Sequence, residues 1–525
     1  MLANHITQLL HFMVQTIDTR IAQIESVLAE RAYQLFDYQR EGVRWMLEQE
    51  LTNTEFCYGG ILADDPGLGK TIQTISLIIG NPPNPLLTTP DAPNKTLIVV
   101  PISIIQQWKD AIEAIYPSLQ VTIHHSSYKE YIFAQDIEKD KCNIVITGYH
   151  QLYASINKEY WQTVLHKHRW YRVILDEGHL IRNHNTKLFK GAFDIPAKYR
   201  WILSGTPIQN KIDDIISMFK YLHVPPTLIN HNLDRLKSTK IFRRNRSIVA
   251  DRYKELFVKI VDMPFDSNEE RDFYIRVKDE VHNEFLRVMR ECEDEKDKMM
   301  IILELILRLR QASIHPNLVI RGLAKKYGVK KPKLWRHGSS TKIQKLRELI
   351  DCQNRDDKAM VVCHFKEEME LISADLQRAF PKLRVKQFNG SMSTDAKNDV
   401  IRMCCEDGVD VLLINIVCGG VGLNLQMFNK VYILTPNWNP SNEIQAIARC
   451  HRIGQTRNVD VFKLVLQEPE FLTIDQRILD IQRGKRELMA KFLSDNTLLF
   501  SEDYTNNNVG NMGKLTMRDF RKLLC

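Results

Sequence analysis

The chain contains no C-x-x-C pair, and none of its ten cysteines stands in a Cys/His spacing suited to zinc. That excludes a zinc module and a disulfide framework; the cysteines, several of them inside apolar runs such as MVVCHF, read as reduced buried thiols. No stretch approaches the ~18 unbroken apolar residues of a membrane span. Met1 to Glu30 alternates polar and apolar side chains without a basic n-region or a small-residue cleavage site, so no secretory signal is read there. Charge of one sign is also scarce: 72 Lys and Arg against 64 Asp and Glu leave +8 over 525 residues, too little by itself to name a polyanionic partner. The chain reads as intracellular.

What is present is an ordinary globular balance, 44% apolar and 26% charged, on a chain long enough for sizeable cores. Apolar runs of strand length alternate with helical patterns twice over. GGILA, TLIVV, CNIVIT, YRVILD and RWILS form the first set; AMVVCHF, VDVLLIN, KVYIL and VDVFKLV form a second, beginning near residue 358. Two α/β lobes, each a doubly wound parallel sheet, are expected from this repeated alternation. The boundaries read as an amphipathic helix over 1–30, a first lobe over 31–235, a helical insertion with a basic linker over 236–340, a second lobe over 341–495 and a tail over 496–525. Residues 265–312 read as helix, with Glu291 to Lys298 solvated and Ile301 to Leu309 buried. Leu10, Val14, Ile17, Ile21, Ile24 and Leu28 keep a 4-3 spacing, which suits a coiled-coil seam or a helix laid against the first lobe.

The strongest local pattern is GGILADDPGLGKT, residues 59–71, where a strand enters a turn rich in glycine and a helix follows. Asp64, Asp65, Pro66, Gly67, Leu68 and Gly69 form the turn. Glycines let backbone N–H groups close around phosphate oxygens, Lys70 reaches the β and γ phosphates, and the Thr71 hydroxyl suits magnesium. Asp64 occupies the first glycine position of the usual motif, so the match is incomplete. YRVILDEGH places Asp176 and Glu177 at a strand end, where a phosphate-loop enzyme needs a metal-holding and a water-orienting carboxylate. Arg449 and Arg452 in QAIARCHRIGQ are read as three apart on one helix face, two guanidinium groups aimed into one cleft.

These residues together resemble the Swi/Snf-type ATPases of helicase superfamily two. The resemblance rests on nine ordered blocks, from LFDYQREGVRWM (35–46) and ILADDPGLGKT through LIVVPISIIQQW, LDEGHLIRN, LSGTPIQN and LRLRQASIHP to GGVGLNL, WNP and ARCHRIGQ (448–455). Gly178, where many members have alanine, looks like the branch of post-replication repair translocases and lodestar-like transcription termination factors. Many repair members of that branch carry a RING ubiquitin ligase, and this chain lacks the cysteines for one.

The resemblance implies two RecA-like lobes with helical insertions, ATP and magnesium as cofactors, and duplex DNA as partner. Gln39 would read adenine, Lys70, Thr71 and Asp176 would hold phosphate and magnesium, and Glu177 would be the catalytic base. His179, Ser204, Gly205 and Thr206 would couple nucleotide to DNA, and Gly420, Gln445, Arg449 and Arg452 would complete the site from the second lobe. It implies a nuclear, DNA-dependent ATPase, a monomeric motor that translocates on duplex DNA and remodels nucleosomal, RNA polymerase or repair complexes without strand separation. Pro66 stands where the family usually has methionine, Asp65 where it has glutamate, Lys397 where it has arginine; Thr435, Asn437 and Ala448 replace Asp, Trp and Asp. These departures keep open a catalytically weak, ATP-binding DNA scaffold, and a strand-separating helicase is a third reading.

Overall fold

The computed structural model describes residues 17–52, 58–84, 93–125, 142–156, 159–207, 212–336, 338–406, 408–416, 423–493 and 524. The chain divides into two compact units, Met1–Ala250 and Asp251–Cys525.

The first unit is built on β1 (Gly59–Leu62), β2 (Thr96–Val100), β3 (Val121–His124), β4 (Ile144–Gly148), β7 (Trp170–Asp176), β8 (Ala197–Leu203) and β9 (Ile241–Phe242). Their order is β3-β4-β2-β7-β8-β1-β9, with every pairing parallel. A small antiparallel ribbon, β5 (Ala154–Ile156) with β6 (Glu159–Trp161), lies outside this sheet. The central strands GGIL, TLIVV and IVITG are buried at every position, as strands covered by helices on both faces must be. All five strands expected in this half are present, joined by β3 and the two-residue β9.

Residues 17–29 form a helix whose Ile17, Ile21, Ile24 and Leu28 are buried within this unit. Arg20 Nη1 donates to the Gly80 carbonyl at 2.5 Å, and Glu25 and Asp18 pair with Arg40 and Arg44 of the helix Asp37–Leu51, each at 2.6 Å. The described part of the apolar stripe is therefore consumed by packing against its own chain, which removes it as a seam for a partner helix; Leu10 and Val14 lie outside the described residues. Behind it sits a polar knot. Glu50 accepts from Arg172 Nε and Nη2 at 2.6 and 2.5 Å, from Trp201 Nε1 at 2.8 Å and from Asn81 Nδ2 at 2.7 Å, with both charged side chains fully buried.

The second unit carries β10 (Leu256–Met263), β11 (Ala359–Cys363), β12 (Val385–Phe388), β13 (Val411–Asn415), β14 (Lys430–Ile433) and β15 (Val459–Leu466). They form an all-parallel sheet in the order β10-β15-β14-β11-β13-β12. Two parallel sheets flanked by helices are the α/β architecture expected. The segment 236–340, expected as helix and linker, also supplies β9 to the first sheet and β10 to the second. Its helical part breaks at Cys292–Asp294, where Asp294 accepts from the N–H groups of Lys296 and Asp297 and starts a new helix, Glu295–Ile314. Within Ile301 to Leu309, expected as buried, only one face is: Ile302, Ile306 and Leu309 are covered, while Leu303 is 51% exposed.

Candidate nucleotide site

Strand register assembles the site. Leu62 of β1 pairs with Leu203 of β8, and Leu203 with Asp176 of β7, so the three lie abreast at the C-terminal rim of the first sheet. The segments that follow, 63–69, 204–207 and 177–181, therefore leave the sheet side by side, where open parallel sheets bind ligands.

The turn after β1 takes positive φ at Gly67 (97°) and Gly69 (79°), a backbone that side chains with a Cβ rarely adopt. Lys70 starts the helix Lys70–Gly80, and its Nζ donates to the Asp64 carbonyl at 2.6 Å and to the Asp65 carbonyl at 3.3 Å. Burial holds the Lys70 ammonium below its ordinary range, opposed by the charges of Glu177, Asp64, Asp176 and Asp65. That set puts both halves of the expected phosphate and metal site around one ammonium. Thr71 follows in the first turn of the same helix. Gln39, buried in the helix Asp37–Leu51, donates from Nε2 to the Leu68 carbonyl at 3.3 Å and accepts from Phe36 N at 3.1 Å, which places it against the phosphate turn.

Asp176 accepts from Trp108 Nε1 at 2.8 Å and from the N–H of Glu177 at 2.9 Å. Burial first, and then the neighbouring Glu177 charge, raise its carboxyl to about 6. Two crowded carboxylates of this kind are relieved by a divalent cation, and their hard oxygens, with a threonine hydroxyl, are the donors magnesium takes. Among the described residues no group of three or more His, Cys, Asp or Glu side chains is gathered to hold a metal alone. Magnesium fits that pattern, because it usually keeps waters and phosphate oxygens as its other ligands. Glu177 itself takes φ of 52°, a strained backbone for a residue with a side chain, and His179 Nδ1 lies 3.3 Å from its Oε2.

In the segment after β8, Ser204 is buried and its Oγ accepts from Thr206 N at 3.2 Å. A Cβ on Gly205 would meet the Pro66 ring carbons at 2.8 Å. Pro66 thus packs directly on the Ser204 to Thr206 segment.

Sequence reasoning missed the residues beneath the loop. After β9 the chain runs Arg243, Arg244, Asn245, Arg246, and three of these grip the turn. Arg243 Nη2 pairs with Asp65 at 3.1 Å, Arg244 Nη2 with Asp64 at 2.5 Å, and Arg246 Nε donates to the Pro66 carbonyl at 3.1 Å. An arginine run some 180 positions downstream reads as solvated surface; the one available signal was Asp64 itself, a carboxylate inside an apolar strand end that needs a cation.

In the second unit, Gln445 is buried and Arg449 lies in the last turn of the helix Pro440–Cys450. Arg452 lies beyond that helix, in the turn at 451–454, so the expectation that both arginines share a helix face is corrected. The helix ends at Cys450, with His451 already extended (φ −90°, ψ 91°), and the chain then turns through Gly454 at φ of 98°, with Gln455 N bonded to the Arg452 carbonyl at 3.0 Å. Gly420 lies outside the described residues. Two family departures have local partners: Thr435 Oγ1 accepts from buried Lys342 at 2.9 Å, and Asn437 donates its N–H to Glu443 at 2.6 Å.

Two family matches fall on these units. The SNF2-related domain family matches residues 38–250, and the helicase conserved C-terminal domain family matches residues 341–454. Among curated proteins, a probable global transactivator of Orgyia pseudotsugata multicapsid polyhedrosis virus is 28% identical, covering 89% of this chain and 93% of the viral protein. DNA repair protein RAD5B of Arabidopsis thaliana is 26% identical over 85% of this chain but only 46% of its own length, so the chain spans about half of that relative. A solved Sulfolobus solfataricus SWI2/SNF2 ATPase core in complex with dsDNA is 25% identical and covers 93% of this chain and 97% of its own, at a TM-score of 0.38. With both domain families matched in order, the chain belongs to the Swi/Snf-type, superfamily two family of DNA-dependent ATPases.

Proposed function

We propose that the chain hydrolyses ATP to move along double-stranded DNA and remodel protein-DNA complexes without separating strands. The observation that carries the nucleotide half is Lys70, held at the start of a helix among Asp64, Asp65, Asp176 and Glu177. Magnesium, when bound, would supply charge to the β and γ phosphates. Thr71 and Asp176 would hold it, Gln39 would contact the base, the amides of Gly67 to Thr71 would receive phosphate oxygens, and Glu177 would orient and deprotonate the attacking water. Gln445, Arg449, Arg452 and Gly420 are assigned their roles by the family resemblance alone, as is the coupling role of His179 and the Ser204 to Thr206 segment.

The DNA half is supported by relatives named for DNA repair and as TATA-binding protein-associated factors. A nuclear site of action, and nucleosomes, RNA polymerase or repair factors as partners, belong to the same proposal; no helix among the described residues is long and apolar enough to cross a membrane. Displacement of a third strand from a DNA triplex tests translocation. ATP-dependent triplex displacement without unwinding of a forked duplex is expected; unwinding, or no displacement, contradicts the reading. Pro66, which lacks an N–H in the phosphate turn, favours the second reading of an ATP-binding scaffold. Turnover above ~1 s⁻¹ on DNA, the low end for enzymes, eliminates it.

A further inference from the structure

We infer that Arg244 is the positioning residue of the phosphate loop, setting through Asp64 and Gln73 the direction in which the loop's amides point. Asp64 is fully buried where the usual phosphate motif has glycine. Arg244 binds it with two side-chain donors, Nε to Oδ1 at 3.0 Å and Nη2 to Oδ2 at 2.5 Å, and adds its own backbone N–H to Oδ1 at 3.1 Å. The same Nη2 donates to Gln73 Oε1 at 2.8 Å, and Nη1 donates to the Tyr38 carbonyl. The guanidinium carbon lies 4.6 Å from the Phe242 ring centroid and 5.3 Å from that of Tyr38. One side chain thus ties β9, the helix carrying Gln39, the phosphate loop and the helix behind it.

The consequence runs through Gln73. With Oε1 occupied by Arg244, the amide can orient only one way, and Nε2 donates to Asp64 Oδ2 at 3.1 Å and to the Leu68 and Gly69 carbonyls, both at 3.4 Å. In a trans peptide the C=O and the following N–H point in opposite directions. The Gln73 amide adds to Gln39 Nε2 on the Leu68 carbonyl at 3.3 Å and to the Gln73 backbone N–H on the Gly69 carbonyl at 3.2 Å, and holding both carbonyls on this side turns the N–H groups of Gly69 and Lys70 the other way, to the face where a phosphate sits. A flipped Gln73 would set its oxygen against those carbonyls and lose the Arg244 bond. Gly42 leaves the space: a Cβ there would lie 2.0 Å from Gln73 Oε1 and 2.6 Å from Arg244 Nη2.

Arg244 touches no nucleotide in this account, so its effect is expected in binding and not in turnover. The inference rests on the ATPase reading. The experiment uses the full chain and fluorescent ADP with magnesium, together with steady-state ATP hydrolysis and thermal melting. Arg244→Ala is expected to weaken nucleotide affinity and raise KM about tenfold or more, the scale of one lost buried charge-assisted bond, with kcat at saturating ATP kept within about threefold. Arg244→Lys, which keeps charge but not the bidentate fork, falls between the two. Gln73→Leu alters no charge and weakens affinity in the same direction, and the double variant is no weaker than Arg244→Ala by more than about twofold, since the two residues act in one chain. Unchanged affinity in folded Arg244→Ala, or a fall in kcat at constant KM, overturns the inference. If Arg244→Ala shows no melting transition, unchanged affinity in Gln73→Leu overturns it instead. A wild-type chain that binds no ADP overturns the ATPase reading itself, and is told apart by that control.

Discussion

A Cβ at position 178 would stand 2.5 Å from Cγ2 of Ile202, so the strand beside β7 leaves room only for glycine. Ile202 is β-branched, and its stiff χ1 keeps Cγ2 from swinging aside. Gly178→Ala is expected to cost about 1–3 kcal/mol of stability as an overpacked site. Ile202→Leu, which removes the γ2 branch at constant volume, restores most of it, whereas Ile202→Val keeps two γ carbons and does not. Urea unfolding of the single and double variants checks this; additive losses in Gly178→Ala/Ile202→Leu would sink it.

The carboxyl of Asp176, raised to about 6 by burial and by Glu177, predicts a pH dependence. An unfolded chain holds this proton with a pKa of about 3.9. Between those values the folded state binds the proton more tightly, so stability falls as pH rises through the window and the full penalty stands above it. Asp176→Asn keeps an acceptor for Trp108, gives up the one for the Glu177 N–H and removes the charge, whose burial is the larger effect. Melting temperature above pH 6 in the nucleotide-free protein should rise, its slope between pH 4 and 6 should flatten, and ATP hydrolysis should be lost. A variant less stable than wild type at pH 7.5 contradicts this.

Glu50 and Arg172 form a buried pair that Trp201 and Asn81 complete. Glu50→Gln leaves Arg172 uncompensated and is expected to cost about 3–5 kcal/mol. Asp234→Ala, at a side chain 97% exposed, should change stability by less than about 1 kcal/mol. The two are compared by denaturant midpoint of the first unit's transition; equal effects refute the distinction.

Ile24 is fully buried against the helix Lys70–Gly80, where a Cβ on Gly80 would meet its Cδ1 at 2.6 Å. Ile24→Ala is expected to cost about 2–4 kcal/mol and to leave the sedimentation coefficient unchanged. A change of oligomeric state with little loss of stability would restore the coiled-coil alternative.

The legible parts of this chain are those whose physics is local. The runs LIVV (97–100), VVC (361–363) and VLLI (411–414) are unbroken by polar residues because both sheet faces are covered, and Gly67, Gly69 and Lys70 declare their turn in four residues. β10 was missed for the opposite reason. It is an edge strand with Phe257 half exposed, and its partner β15 lies about 200 residues on, so no local periodicity marks it. β12, VKQF, is similarly polar at its own edge. The Arg244 contacts were invisible because only the pairing of β9 with β1 returns residues 243–246 beneath residues 64–66. Arg452 was misplaced by reading helical spacing past Cys450, where the extended His451 has already ended the helix.

The ATP hydrolysis rate of the full chain with and without duplex DNA, alongside Lys70→Ala, tests the DNA-dependent ATPase reading. Stimulation by duplex DNA is expected, with loss of both basal and stimulated rates in the variant. A rate indifferent to DNA, or one that survives Lys70→Ala, contradicts it.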